Sequence, residues 1–163
     1  MPQVWHAQGM TDAMDLPDTS SAPLSGEPLR ALIAPMIRGT MVERCGMELL
    51  ELDARGGIMT MPVDGNTQPA GLLHGGATIA LAESVASFAA ILRAREVHGE
   101  GAQAVGTSVS ALHHRSARSG VVTATCTVRH TGRQVASYLV DVHDEAGTLL
   151  STVTIQTMLL PQR

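Results

Sequence analysis

The sequence predicts an α+β fold: one long helix packed on a mainly antiparallel sheet of about six strands. Three observations carry this. The segment from Gly75 to Arg93 is nearly all apolar, too long for a strand, and has the helical period. The chain after it is rich in Val and Thr, in alternating runs separated by short Gly-bearing turns. Strands joined so closely must form hairpins, so a single helix has to supply the core for one face of their sheet.

The elements follow in order. Residues 1–26 read as a flexible N-terminal tail, because "DLPDTSSAPLSGEP" is rich in Pro, Ser, Asp and Gly and shows no periodicity. Residues 27–163 form a single domain. A short helix starts at Pro28, carries Leu29, Leu32, Ile33 and Met36, and is ended by Pro35 and Gly39. "TMVERCGMELLELD" reads as a strand, "ARGG" (54–57) as a turn, and "IMTMPV" (58–63) as the hairpin partner. The loop "DGNTQPAGLL" leads to the long helix. Then come the strand "QAVGTSVSALHH", the turn "SARSG" and the strand "VVTATCTVRHT", with Val122, Ala124, Cys126 and Val128 on one face. Gly132 turns the chain into "QVASYLVDVHD", and "DEAG" turns it into "TLLSTVTIQTMLL".

Composition excludes several classes. A chain of 163 residues with 44% hydrophobic and 16% charged residues suits one globular domain with a real core. A net charge of −4 argues against nucleic acid as a partner. Trp5, Phe88 and Tyr138 are the only aromatic residues beside nine Met, so apolar pockets should be lined by Met, Leu, Val and Ala. Cys45 and Cys126 have no metal-site spacing and read as two buried free thiols in a reducing, cytoplasmic setting. The N-terminus lacks the basic-then-apolar order of a signal peptide. The apolar stretch after Gly76 is broken by Glu83, Ser84 and Ser87, which reads as too short and too polar to cross a membrane.

Within the long helix, Leu81, Val85, Phe88 and Leu92 make an apolar stripe for the sheet. Gly76, Ala80, Glu83, Ser87 and Ala90 make a second stripe, small except for one carboxylate. Burying Glu83 unpaired would cost several kcal/mol, so the stripe reads as a slot for a ligand or another helix. "HGG" (74–76) stands where the helix begins. There the first N–H groups lack intrahelical partners and can hold a developing oxyanion, and glycine lets a ligand approach the backbone. Gly75 and Glu83 are about 12 Å apart along the axis at ~1.5 Å per residue. One helix therefore cannot bring both to one carbonyl, whereas antiparallel helices of two subunits can. An active site built from these residues would be shared across a two-fold homodimer.

"MPVDGNTQPAGLLHGGATIALAES" (61–84) resembles the signature of PaaI-like, hotdog-fold acyl-CoA thioesterases. It is most similar to the group that hydrolyses 1,4-dihydroxy-2-naphthoyl-CoA, to the enterobactin-pathway proofreading enzymes, and to the Arthrobacter-type 4-hydroxybenzoyl-CoA enzymes. "LHHRSARSG" (112–120) and "DEAGTLLS" (144–151) fall where that group has similar segments. The resemblance implies a long central helix wrapped by the sheet, in a homotetramer that is a dimer of dimers. It implies Glu83 as nucleophile or as general base for water, with the Gly75 N–H and the Gln68 side chain polarising the thioester carbonyl. It further implies His74 and Ser87 as helpers in the pocket, Gly76 beside the substrate and His113 near the acyl group. No metal or redox cofactor is required, because coenzyme A belongs to the substrate and its thiol, with a pKa near ~8.5, leaves readily.

The phosphates of coenzyme A call for local positive charge, and Arg115, Arg118 and Arg133 lie in turns where they could supply it. Ala70 stands where relatives often carry a bulky aromatic, and the loop before Gln68 is one residue shorter. The acyl group therefore stays open between aryl and medium-chain, as does its carrier between coenzyme A and acyl-carrier protein. Two other functions use the same fold. Enoyl-CoA hydration needs an Asp and His pair at the helix start, which "HGG" does not supply. A non-catalytic acyl-CoA-binding domain predicts binding without turnover.

Overall fold

The computed structural model describes residues 22–162. Most of the expected tail, 1–26, lies outside that range. Its last residues do not: Leu24–Ser25 form a short strand (β1), paired antiparallel with Leu52 and Glu51. Helix α1 (Gly26–Ile37) follows and buries Leu29 and Ile33. It runs through Pro35, which costs the hydrogen bond that residue would have made, and stops a few residues later.

The expected strand over 40–53 is half right. Strand β2 occupies only Glu48–Asp53, and Met41–Arg44 form one helical turn (α2). Local hydrogen bonds decide this. The Gly39 N–H donates to Glu43 Oε2 at 2.6 Å, and Thr40 Oγ1 donates to the Ile37 carbonyl at 2.6 Å. Gly46, at φ +65°, then turns the chain into β2 in a conformation other residues rarely adopt. Strand β3 (Gly56–Pro62) returns as the hairpin partner.

The long helix, α3 (Gly75–His98), extends five residues past its expected end. An Arg93–Glu96 ion pair at 3.0 Å supports the last turns, and Gly99 closes the helix. At this length it matches a membrane span in size and hydropathy, contrary to the expectation. What it packs on is the sheet: Leu81, Val85, Ala82, Ala86, Ala89 and Ala90 are fully buried. Leu81, Val85 and Leu92 of the expected stripe are buried, and Phe88 is only half-buried.

Strands β4 (Gln103–His113), β5 (Val121–Thr131), β6 (Val135–His143) and β7 (Leu149–Leu160) complete a seven-stranded antiparallel sheet. Its order is β1-β2-β3-β5-β6-β7-β4. Val122, Ala124 and Cys126 of β5 point into the core as alternation requires, and Val128 is half-buried. Met59, Met61, Tyr138, Val140, Val153 and Ile155 are fully buried in the same core. Burial pushes the Cys126 thiol up to about 12, with the charge of Asp53 adding to the effect, while Cys45 is only half-buried.

Two features of this sheet bear on function. Strand β4 stands at one end with its outer edge unpaired among the described residues, and Val105, Val109 and Leu112 are exposed on it. Strand β7 carries a bulge where it meets β6: Val142 pairs with Ser151 and His143 with Leu149, leaving Leu150 as the extra residue.

Candidate active site

A cavity of about 220 Å³ opens at the N-terminal end of α3. Gln68, Gly75, Thr78, His113, Arg115, Ser116 and Ser151 supply its polar lining, and Leu72, Leu73, Ala117 and Leu150 its apolar lining. No methionine lines it. Met59 and Met61 are packed in the core instead.

Gly75 is the first residue of α3, so its N–H has no intrahelical acceptor, and it makes no hydrogen bond among the described residues. The helix is capped by His74, whose Nδ1 accepts from the Gly76 N–H at 2.8 Å. A side chain at Gly76 would press on that ring at 3.0 Å. His74 is thus exposed, serves the helix start, and does not line the cavity. Ser87, farther along the helix, does not line it either.

Gln68 closes a tight turn. Its N–H donates to the Leu72 carbonyl and its own carbonyl accepts from Gly71, both at 2.8 Å, with Gly71 at φ +73°. Its side-chain oxygen accepts from the Ala70 N–H at 3.0 Å. With the oxygen occupied, the amide NH2 is left to donate into the cavity. Arg118 fastens the same turn from outside, donating to the Ala70 carbonyl at 3.4 Å. Arg115 donates to the Leu149 carbonyl at 3.4 Å and lies at the cavity wall. Arg133 is elsewhere. It sits in the β5–β6 turn, where its carbonyl accepts from His98 Nε2 at 2.7 Å. His98 ends α3, about 35 Å from Gly75 at ~1.5 Å per residue.

His113 ends β4 beside the helix start. Its Nε2 lies 2.9 Å from where a Cβ on Gly75 would be, so only glycine at 75 leaves the ring its place. Its Nδ1 is 2.8 Å from Ser151 Oγ. Neither Ser151 nor Thr78, each 2% exposed, stood out in the sequence. The available signal was weak: a lone serine at the pocket end of the inward series Val153, Ile155, Leu159.

Glu83 is half-buried and does not line the cavity of its own chain. Its carboxylate makes no hydrogen bond or ion pair among the described residues, so it is not a structural partner of an arginine. Oε1 lies 3.0 Å from where a Cβ on Gly106 would be, against the edge strand β4. None of the residues lining the cavity is acidic.

Comparison with known proteins decides the family. The sequence profile of the thioesterase superfamily matches residues 70–151. The chain is 41% identical to the proofreading thioesterase EntH of Cronobacter turicensis over 133 residues, 81% of this chain and 93% of that protein. The chain belongs to the thioesterase superfamily. The EntH of Klebsiella pneumoniae is 43% identical over 74% of this chain and 86% of its own length. Among solved structures, thioesterase HI1161 of Haemophilus influenzae superposes with a TM-score of 0.71 at 32% identity, over 78% of this chain and 87% of that one. A variant of thioesterase PA1618 of Pseudomonas aeruginosa gives 0.74 at 29% identity, over 80% and 93%. The PaaI protein of Escherichia coli, at 18% identity and a TM-score of 0.68 over 82% and 94%, shares the fold. The protein is a hotdog-fold thioester hydrolase.

Proposed function

We propose that this thioesterase hydrolyses an acyl-CoA thioester at a site completed by a second copy of the chain. One observation carries the reading: the donors and the carboxylate form complementary halves. The cavity has Gln68, Gly75 and His113 but no acid of its own. Glu83 has no partner among the described residues and lies against the strand whose edge is open. Pairing β4 with β4 of a second chain would hide Val105, Val109 and Leu112 and bring each Glu83 toward the other chain's helix start.

In this site the Gly75 N–H and the Gln68 amide hydrogen-bond the thioester carbonyl, and the positive end of α3 favours the developing oxyanion. Glu83 of the second chain attacks the carbonyl carbon, or takes the proton from a water that does. If Glu83 attacks, the C–S bond breaks, coenzyme A leaves as a thiolate, and water then hydrolyses the acyl-Glu83 anhydride to the free acid; if water attacks, its oxygen stays in the acid as the C–S bond breaks, and the proton taken by Glu83 passes to the departing thiolate. The apolar lining of Leu72, Leu73, Ala117 and Leu150 supports an apolar acyl group, aryl or medium-chain. Arg115, at the cavity wall, and Arg118, at the Gln68 turn, would meet the phosphate groups outside the cavity, and Arg133 would do so only from another subunit. A dimer of dimers would complete the assembly.

The test is release of free thiol from a panel of aryl- and alkyl-CoA thioesters by the wild type and Glu83→Ala. The expected result is turnover by the wild type and a loss of several orders of magnitude in a folded variant of unchanged oligomeric state. Binding of CoA esters without thiol release would refute the reading, and so would a Glu83→Ala variant that keeps its rate.

A further inference from the structure

Strand β7 turns its inward face to the core at Val153, Ile155, Thr157 and Leu159. Thr157 is satisfied locally, donating to the Ala136 carbonyl at 3.3 Å. Ser151 is different. It is 2% exposed, it stands at the cavity end of the series, and its hydroxyl has one partner among the described residues, His113 Nδ1 at 2.8 Å. The two residues face each other directly in the β4–β7 register. The bulge at Leu150 sets this up. It lets the consecutive residues Leu150 and Ser151 both line the cavity, and the Leu150 carbonyl accepts from the His114 and Arg115 N–H groups at 2.7 and 3.1 Å. The chain is thereby tied down just past His113.

The direction of that bond follows from counting donors and acceptors. A serine hydroxyl carries one hydrogen, and a buried hydrogen left without an acceptor is costly. If Nδ1–H donated to Ser151, the serine's own hydrogen would have no acceptor among the described residues. If the hydroxyl donates to Nδ1, the buried serine hydrogen is used, and the ring hydrogen sits on Nε2 of a residue that is itself exposed. That nitrogen is the one held over Gly75, 2.9 Å from where a Cβ would stand. We propose that Ser151 is a positioning residue: it holds His113 as the Nε2–H tautomer, with that N–H presented beside the Gly75 amide where the thioester carbonyl binds. The imidazole then acts as a further donor to the carbonyl. Ser151 acts on the reaction only through it, a role that rests on the acyl-CoA site proposed for this cavity.

The first measurement is the ring tautomer. Long-range 1H–15N correlation spectra of the full-length, 15N-histidine-labelled protein, assigned with His113→Gln, report which nitrogen carries the hydrogen. The expected wild-type pattern is an unprotonated Nδ1 and a protonated Nε2; a protonated Nδ1 on the neutral ring would overturn the proposal without any appeal to turnover. The second arm compares Ser151→Ala with Ser151→Thr. Loss of the hydroxyl should mix the tautomers and lower kcat about tenfold, less than the ~10²–10³ expected when an oxyanion donor is removed outright. KM should stay within about threefold, since the donor matters most once charge has developed. Threonine should restore both the tautomer and the rate. A Ser151→Ala variant with wild-type tautomer and kcat would refute the role. Failure of the underlying site would look different, because Glu83→Ala would then retain its rate.

Discussion

Replacing Gly106 by alanine should damage turnover while sparing the fold. A methyl group there would lie 3.0 Å from Glu83 Oε1, where ordinary contact begins at 3.4 Å. The carboxylate must therefore retreat by at least about 0.4 Å, and as the end of a flexible side chain it can do so cheaply. A misplacement of about 1 Å at a reacting group costs on the order of 10²-fold, so kcat should fall about six- to tenfold. Stability should hold, or rise by up to about 1 kcal/mol, because alanine has less backbone freedom to lose than glycine. Gly57→Ala provides the contrast: its Cβ would come within 2.5 Å of the Glu51 carbonyl oxygen, which is backbone and cannot swing away. That variant should melt earlier. The assay is thiol release at saturating substrate, alongside thermal melts and sedimentation of each variant. An unchanged kcat in Gly106→Ala would show that the carboxylate's seat is not where the chemistry needs it. A loss that tracked the melting temperature would show a structural effect instead.

Placing a charge on the open edge with Val109→Lys should leave a folded single chain by sedimentation and circular dichroism, and turnover should fall by about 10²-fold or more if the site is shared. Single chains that keep the wild-type rate would show that each chain holds a whole site. The thiols should separate by pH: mass spectrometry after brief alkylation near pH 8 should find Cys45 labelled and Cys126 untouched, since burial holds the latter up to about 12. The linked stability is complete below pH 9, the ordinary value, and is lost as pH rises from there toward 12. Equal labelling of both thiols in the folded protein would contradict that burial.

The start of α3 was legible because His74, Gly75 and Gly76 differ sharply from the apolar run behind them. Its end was not: "LRAREVHGEG" is polar enough to resemble a loop, and only the Arg93–Glu96 pair and the cap at Gly99 show that the helix continues. The turn at 41–44 was missed because Val42, Met47 and Leu49 suit a strand, whereas the bonds from Gly39 to Glu43 and from Thr40 to Ile37 hold the backbone coiled. Glu83 was readable as an intruder among apolar neighbours. Ser151 was not, since which way a strand residue points depends on pairing, and the bulge at Leu150 alters it. His74 was recognised as a residue of the helix start, but only its bond to Gly76 shows that it serves as a cap.

The strand order has a consequence for how the chain is made. Strand β4 follows α3 directly in the sequence, yet its one neighbour in the sheet is β7, with Gln103 opposite Leu160 and His113 opposite Ser151. Strand β3 likewise waits for β5, on the far side of the whole helix and β4. During synthesis, a long apolar helix and β4 must therefore emerge before β4 has any partner and before β3 has its second, and the sheet is joined up only with β7. Such distant pairing is slow to form and leaves apolar surface uncovered meanwhile. A chain cut short before Leu149 would keep its carboxylate and its helix start, yet lose the strand that joins β4 to the rest of the sheet.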